Sequence, residues 1–267
     1  MKISFIGAGN MACAIIKSVI SSGKVAPSDI FVYDKFPEKA EKLTLLGVNK
    51  CDTFSDCCNN GECILLAVKP QDYEQVLLDV KDVTNCLDDK MFITIAAAIS
   101  CDYICKTLGC DLPVVRVMPN TPMLLGVGAT AISRNNLVTD KVYSKICGIF
   151  ASSGTVVSLD ECLMNQVICV NSSSPVYLYM LAKAMIEGGI NQGLSEKAAT
   201  ELVYQTLKGS CEMLIKSGQT PDELIKMVAS PGGTTLAAIS SLENDNFYKI
   251  IDDAMQACTN RANELSR

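Results

Sequence analysis

Ile3-Ser4-Phe5-Ile6-Gly7-Ala8-Gly9-Asn10-Met11-Ala12 decides the fold of the first half of this chain. The opening residues read as a buried strand, the two glycines around Ala8 as a tight turn, and the rest as the start of a helix. In that setting the Gly-x-Gly-x-x-Ala spacing has a mechanical meaning. Gly7 permits the turn, Gly9 lets the backbone approach a pyrophosphate without a Cβ in the way, and Ala12 lets helix and strand pack closely. The N–H groups of the helix start then hold the anion. An ordinary glycine-rich turn is the competing reading, and the acidic residue closing the next strand favours the dinucleotide. That residue is Asp34, about 20 residues further on, placed to accept hydrogen bonds from the adenine ribose. An anion there repels a 2′-phosphate and gives a modest lean to NADH, while Lys35 beside it would attract that phosphate.

Working outward, short apolar runs at residues 3–6, 30–33, 63–68, 91–97 and 114–118 alternate with helical patterns. Buried parallel strands with crossover helices read this way, so the first half is expected to be an α/β, Rossmann-type, doubly wound domain. Val68-Lys69-Pro70 closes the third run, at the strand ends where open sheets bind ligands; a solvated strand-end lysine explains it equally well. Ala96-Ala97-Ala98 closes the fourth, where small side chains let a nicotinamide ring lie close or simply pack well.

After Ser158 the pattern becomes helical, punctuated by Asn171-Ser172-Ser173-Ser174-Pro175, Gly188-Gly189 and Ser230-Pro231-Gly232-Gly233. Pro175 behind serines fits the first position of a capped helix, with Tyr177, Leu181, Ala184 and Met185 near one face. The expected division is residues 1–158 for dinucleotide binding and 159–267 for an all-helical domain. The wealth of Ala, Met, Leu and Ile in that second domain exceeds what one thin layer can bury, so self-association as a dimer or higher homo-oligomer is expected.

Composition excludes several classes. A net charge of −6 gives no field for nucleic acid or an anionic membrane. The longest apolar runs, such as residues 92–99, fall short of the roughly 20 residues that span a bilayer. Met1 leads straight into the first strand with no leader pattern ahead of it, so a cytoplasmic chain is expected. The 14 cysteines are scattered through apolar segments such as those of Cys13, Cys63, Cys147 and Cys169, without zinc spacing, and read as reduced thiols with no metal. The chain has no histidine, which removes Ser-His and Cys-His nucleophiles and imidazole acid–base chemistry.

Residues 230–235 form a Pro-Gly-Gly turn feeding a helix that starts near Thr235. The Ser230 hydroxyl and the N–H groups of Thr234 and Thr235 would suit a small carboxylate there, and a loop with a threonine cap is an equal reading. Taken together, Phe5-Ile6-Gly7-Ala8-Gly9-Asn10-Met11, Ala67-Val68-Lys69-Pro70-Gln71, Val115-Arg116-Val117-Met118-Pro119-Asn120-Thr121-Pro122, Gln205-Thr206-Leu207-Lys208-Gly209 and Ser230-Pro231-Gly232-Gly233-Thr234-Thr235 with Leu242-Glu243 resemble pyrroline-5-carboxylate reductases along nearly the whole chain. The resemblance implies NAD(P)H-dependent reduction of a cyclic imine to proline. It implies that Thr235 hydrogen-bonds the ring nitrogen as the catalytic contact, and that Glu161 lies beside the bound amino acid. Ser230, Gly232, Gly233 and Thr234 complete the substrate site. Ile6 to Met11, Asp34, Lys35, Val68, Lys69, Pro70, Ala96, Ala97 and Asn120 then form the cofactor site.

The chain departs from the family at Ser172-Ser173-Ser174 in place of Gly-Ser-Gly, at Ala98 in place of glycine, and at Met227 where asparagine is common. Two alternatives stand beside this reading. One is a β-hydroxyacid dehydrogenase of the same layout, with Lys183 as the proton donor. The other is a dinucleotide-sensing dimer without catalysis, against which Glu161, Ser230 and Thr235 argue.

Overall fold

A computed structural model describes residues 1–266. Eight strands, β1 (Ile3–Ile6), β2 (Ile30–Tyr33), β3 (Asn49–Lys50), β4 (Cys63–Leu66), β5 (Met91–Thr94), β6 (Val114–Met118), β7 (Gly128–Arg134) and β8 (Gly154–Ser158), form one sheet in the order β3-β2-β1-β4-β5-β6-β7-β8. Strands β1 to β6 are parallel, as the apolar runs of all but the polar two-residue β3 predict, and the order reverses between β1 and β4. Six helices cover the sheet: α1 (Asn10–Ser21), α2 (Pro37–Leu43), α3 (Phe54–Asn60), α4 (Tyr73–Val83), α5 (Cys101–Leu108) and α6 (Asp140–Phe150). Phe5 turns to one face with Ile15, Ile16, Ile149 and Phe150 of α1 and α6. Ile6 turns to the other with Cys57, Leu77 and Ile104 of α3, α4 and α5. This is the period-two alternation of a strand covered on both sides.

The far edge differs from a purely parallel expectation. The return from β6 is a short 3-10 segment, Thr121–Leu125, too short for a crossover helix, so β7 runs antiparallel to β6. β8 is parallel to β7, joined through α6.

Five further helices follow: α7 (Pro175–Asn191), α8 (Glu196–Lys216), α9 (Pro221–Val228), α10 (Thr234–Asn244) and α11 (Phe247–Glu264). Contacts divide the chain into two compact units, one of residues 1–173 with the chain from Cys258 onward, the other Ser174–Ala257. The division expected after 158 therefore falls after 173. Met164, Ile168 and Cys169 are buried, and Met164 and Ile168 join Met118 and Ala131 in a third apolar cluster that keeps this stretch with the sheet.

Pro175 does occupy the first turn of α7, but a π-helical turn, Ile168–Ser172, leads into it and the Ser174 side chain makes no capping bond. The face expected at Leu181, Ala184 and Met185 is exposed within the chain. Among the residues of the second unit only Ala182, Ala199 and Val203 are buried, while Met180 is 66% and Ile215 75% exposed. α9 is held by a full capping box, Thr220 with Glu223, so its local signals are good even though its apolar side faces outward. No described helix is long and apolar enough to cross a membrane.

Candidate active site

The chain leaves β1 at Ile6 and turns at Gly7, whose φ is +105°. A Cβ there would stand 2.6 Å from the Ala67 carbonyl oxygen, so only glycine fits. The Gly7 N–H donates to Tyr33 O at 2.8 Å, tying the turn to the end of β2. Gly9 caps α1 with an extended backbone, and a Cβ built on it meets nothing within 4 Å. That open space lies before the first-turn N–H groups of α1, those of Asn10, Met11 and Ala12, which have no intrahelical acceptors. Such a cradle fits the pyrophosphate of a dinucleotide.

Asp34 does more than the ribose contact expected of it. Its Oδ2 accepts the Ala8 N–H at 2.8 Å and its Oδ1 accepts the Phe36 N–H at 2.9 Å, with Lys39 Nζ 3.9 Å away. The carboxylate clamps the glycine turn to the loop after β2, and each oxygen keeps one further lone pair for a ribose hydroxyl. Lys39 and Lys35 stand over the Phe36 ring, 4.5 and 5.6 Å from its centroid, so both cations border this corner.

Val68, Lys69 and Pro70 follow β4 at the same edge of the sheet, and Lys69 is exposed. Ala96 is buried and Ala97 half-buried in the segment after β5. Ala98, in the place of a family glycine, holds φ +65° although it carries a methyl group. Asn120 is placed differently from a free cofactor ligand. Its Nδ2 donates to Asn171 O at 3.0 Å and its Oδ1 accepts the Ala129 N–H at 2.9 Å, so the amide joins the start of β7 to the π-helical turn. Asn171 completes the joint by donating to Met118 O at 2.7 Å.

Glu161 has partners within its own unit. Its Oε1 accepts the N–H of Cys101, the first residue of α5, at 2.6 Å, and lies 4.0 Å from Arg116 Nη1. The carboxylate thus caps a helix start and balances a guanidinium whose side chain is only 3% exposed. One carboxylate oxygen is engaged inside its own unit, while the side chain stays 30% exposed. Burial works against the Arg116 charge and, with Glu161, pushes the Cys101 thiol up. Arg116 Nη2 donates to Asn165 Oδ1 at 2.6 Å, and Asn165 Nδ2 donates to Asn263 and Ser266. The sequence carries a signal for this network, because a lone arginine inside the apolar run 114–118 demands a buried partner.

In the second unit, residues 230–235 form the turn before α10. Gly232 has φ +71° and Gly233 caps the helix, where a Cβ would stand 2.5 Å from Ser230 Oγ. Gly233 N–H donates to Ser230 O at 3.0 Å, closing the turn. Helix α10 begins at Thr234, so the N–H groups of Thr234 and Thr235 lie in its first turn and point toward any anion held there. Thr235 is half-buried and borders an apolar pocket of about 470 Å³ with Met213, Leu214, Ile225, Val228 and Ile239. Met227, the departure from asparagine, lines the same pocket. Lys183, the proton donor of the hydroxyacid alternative, points to solvent and pairs with Glu187 at 3.8 Å.

Residues 161–265 match the family model described as pyrroline-5-carboxylate reductase dimerisation, and residues 2–98 match NADP oxidoreductase, coenzyme F420-dependent. The pyrroline-5-carboxylate reductase of Escherichia coli (strain K12) is 34% identical over 267 residues, covering 100% of this chain and 98% of that protein. The Mycobacterium tuberculosis enzyme of the same name is 30% identical, covering 99% and 96%. Among solved structures, the pyrroline-5-carboxylate reductase of Coxiella burnetii superposes with a TM-score of 0.89 at 30% identity over 100% of this chain and 98% of its own. The Plasmodium falciparum pyrroline carboxylate reductase with NADP bound gives 0.88 at 27% identity, again over 100% and 98%. With the glycine cradle early in the sequence, the Ser230 turn late in it, and relatives matched over nearly their full length, the chain belongs to the pyrroline-5-carboxylate reductase family.

Proposed function

We propose that this chain reduces 1-pyrroline-5-carboxylate to L-proline with NAD(P)H, acting as a homo-oligomer in proline biosynthesis. The observation that carries the reading is the turn at residues 230–235, where the N–H groups of Thr234 and Thr235 lie in the first turn of α10 and Ser230 Oγ stands beside the Gly233 cap. The substrate carboxylate belongs there. When bound, the reduced nicotinamide supplies a hydride. The cyclic substrate enters as a protonated iminium, so its carbon accepts that hydride without a proton from the protein. The ring nitrogen keeps its N–H, and the amine formed takes a further proton from water. The Thr235 oxygen accepts the ring N–H and fixes which face of the ring is presented. A chain without histidine can run this reaction because it asks for orientation rather than acid catalysis.

The glycine cradle, Asp34, Lys35, Val68 to Pro70 and Ala96 to Ala97 hold the cofactor in this reading, with Asn120 and Glu161 supporting from behind. Asp34 beside the ribose favours NADH modestly, and Lys35 with Lys39 keeps NADPH usable. Fourteen unpaired thiols suit the reducing cytoplasm, and no nucleic acid partner is proposed. The hydroxyacid alternative is not favoured, since the relatives matched along the whole chain are pyrroline-5-carboxylate reductases. Substrate-dependent oxidation of NADH and of NADPH, followed by absorbance, tests the proposal. Turnover with the cyclic imine and none with β-hydroxyacids is the expected result. Cofactor binding without turnover would favour the sensing dimer instead.

A further inference from the structure

Tyr73 is the largest side chain that the chain buries completely, at 0% exposure, and nothing in the reaction above uses it. It is the first residue of α4, and its phenol reaches back across the end of the sheet. The Tyr73 hydroxyl donates to Leu66 O, the last residue of β4, at 2.9 Å. It also lies 2.8 Å from Thr94 Oγ, at the last residue of β5. Because the tyrosine proton is committed to Leu66, the threonine proton points to the tyrosine oxygen. The Thr94 oxygen in turn accepts the Ala96 N–H at 3.3 Å. The result is one directed chain, Ala96 N–H to Thr94 to Tyr73 to Leu66, in which each bond polarises the next.

Leu66 and Thr94 are paired in register as neighbouring strand ends. What leaves those ends is the cofactor pocket itself. Ala67 is the residue whose carbonyl a side chain on Gly7 would meet, and Val68, Lys69 and Pro70 follow it. Ala96 and Ala97 follow Thr94, and Ala98 beyond them holds a left-handed backbone that an alanine keeps only where its surroundings over-determine it. Burial pushes the Tyr73 phenol up, so it stays protonated and stays a donor over the working pH range.

We propose that Tyr73 is a positioning residue for the dinucleotide, bolting the ends of β4 and β5 together so that residues 67–70 and 95–98 stand at the spacing the cofactor requires. The inference rests on the cofactor pocket assigned above. In full-length protein, Tyr73→Phe and Thr94→Val each raise the KM for NADH and NADPH about fivefold, the ordinary worth of one buried hydrogen bond. The kcat at saturating cofactor and the KM for the imine stay within about twofold. Thr94→Ser, which keeps the hydroxyl, restores the wild-type KM, and the Tyr73→Phe/Thr94→Val pair is no worse than either single change. Direct titration of each variant with NADH, read by nicotinamide fluorescence, gives the same shift in Kd. A lowered Tm with cofactor KM and Kd unmoved reduces Tyr73 to a packing residue and overturns the proposal. Should Tyr73→Phe fail to fold, the Val and Ser variants of Thr94 decide on their own. Failure of the wild-type protein to bind either dinucleotide sinks the pocket and the proposal together, whereas normal wild-type binding with unmoved variants sinks only the proposal.

Discussion

The two units of this chain solve the same problem in opposite ways. The first buries Phe5, Ile15, Ile64, Leu65 and Phe92 between a sheet and two layers of helix. The second has well-formed helices and caps but only Ala182, Ala199 and Val203 buried within it, with a run of Leu, Met, Tyr and Ile left outside. Burial of a large apolar side chain stabilises by about 1.5–3 kcal/mol, so helices of this length without a core have little to oppose their conformational entropy. The difference teaches that local helix signals and a fold are separate matters. The match of residues 161–265 to a dimerisation family model implies homo-oligomerisation, and these outward apolar side chains are the surface that association would cover.

The strongest attempt to break this comparison is Met180→Glu. A charge on the outward side of α7 should dissociate the oligomer in sedimentation and lower activity by about 100-fold or more, while NADH binding by the first unit survives. An unchanged sedimentation coefficient would mean that α7 is not at the interface. Gly7→Val attacks the other unit. Its added Cβ stands 2.6 Å from Ala67 O, and dinucleotide affinity in a fluorescence titration should fall about 100-fold with the oligomer intact. Thr235→Ala separates chemistry from assembly: kcat drops about tenfold, Thr235→Ser stays within about threefold, and cofactor Kd holds in both. Equal losses in the two variants would assign the effect to the shared methyl-side packing and not to the hydroxyl.

Two smaller changes sharpen the account of the first unit. Glu161→Gln keeps a cap for Cys101 but leaves Arg116 without its anion, so Tm should fall by a few degrees with the imine KM within about twofold. A tenfold rise in that KM would restore Glu161 to the substrate. Ala98→Gly removes a methyl from a left-handed backbone and should stabilise by about 1 kcal/mol, raising Tm by about 2–4 °C with little change in turnover.

The fold was largely legible because its signals are local. The Gly7 turn, the five apolar runs and the late helical pattern each state their structure within a few residues. β7 escaped notice because Gly128-Ala129-Thr130-Ala131 lacks the branched run of its neighbours, and its direction depends on a return loop rather than on its own composition. The domain boundary was hidden for a related reason: residues 159–173 are helical in pattern, yet Met164 and Ile168 pack on the sheet. In the candidate site, Asp34 and the 230–235 turn stand out by motif, whereas the hydrogen bond of Glu161 depends on a partner 60 residues away at Cys101. The buried Arg116 was the clue in plain view, since its charge had to be met by something.

The nearly coreless second unit also sets the order of events when the enzyme is made. A chain that meets its partner late must wait with α7 to α10 unburied, so recovery of activity from denaturant should be second order in protein, its half-time shortening as concentration rises. The first unit should regain nicotinamide fluorescence in a faster step that ignores concentration. Between the two lies a half-finished molecule that already grips its cofactor, with no place yet for the imine.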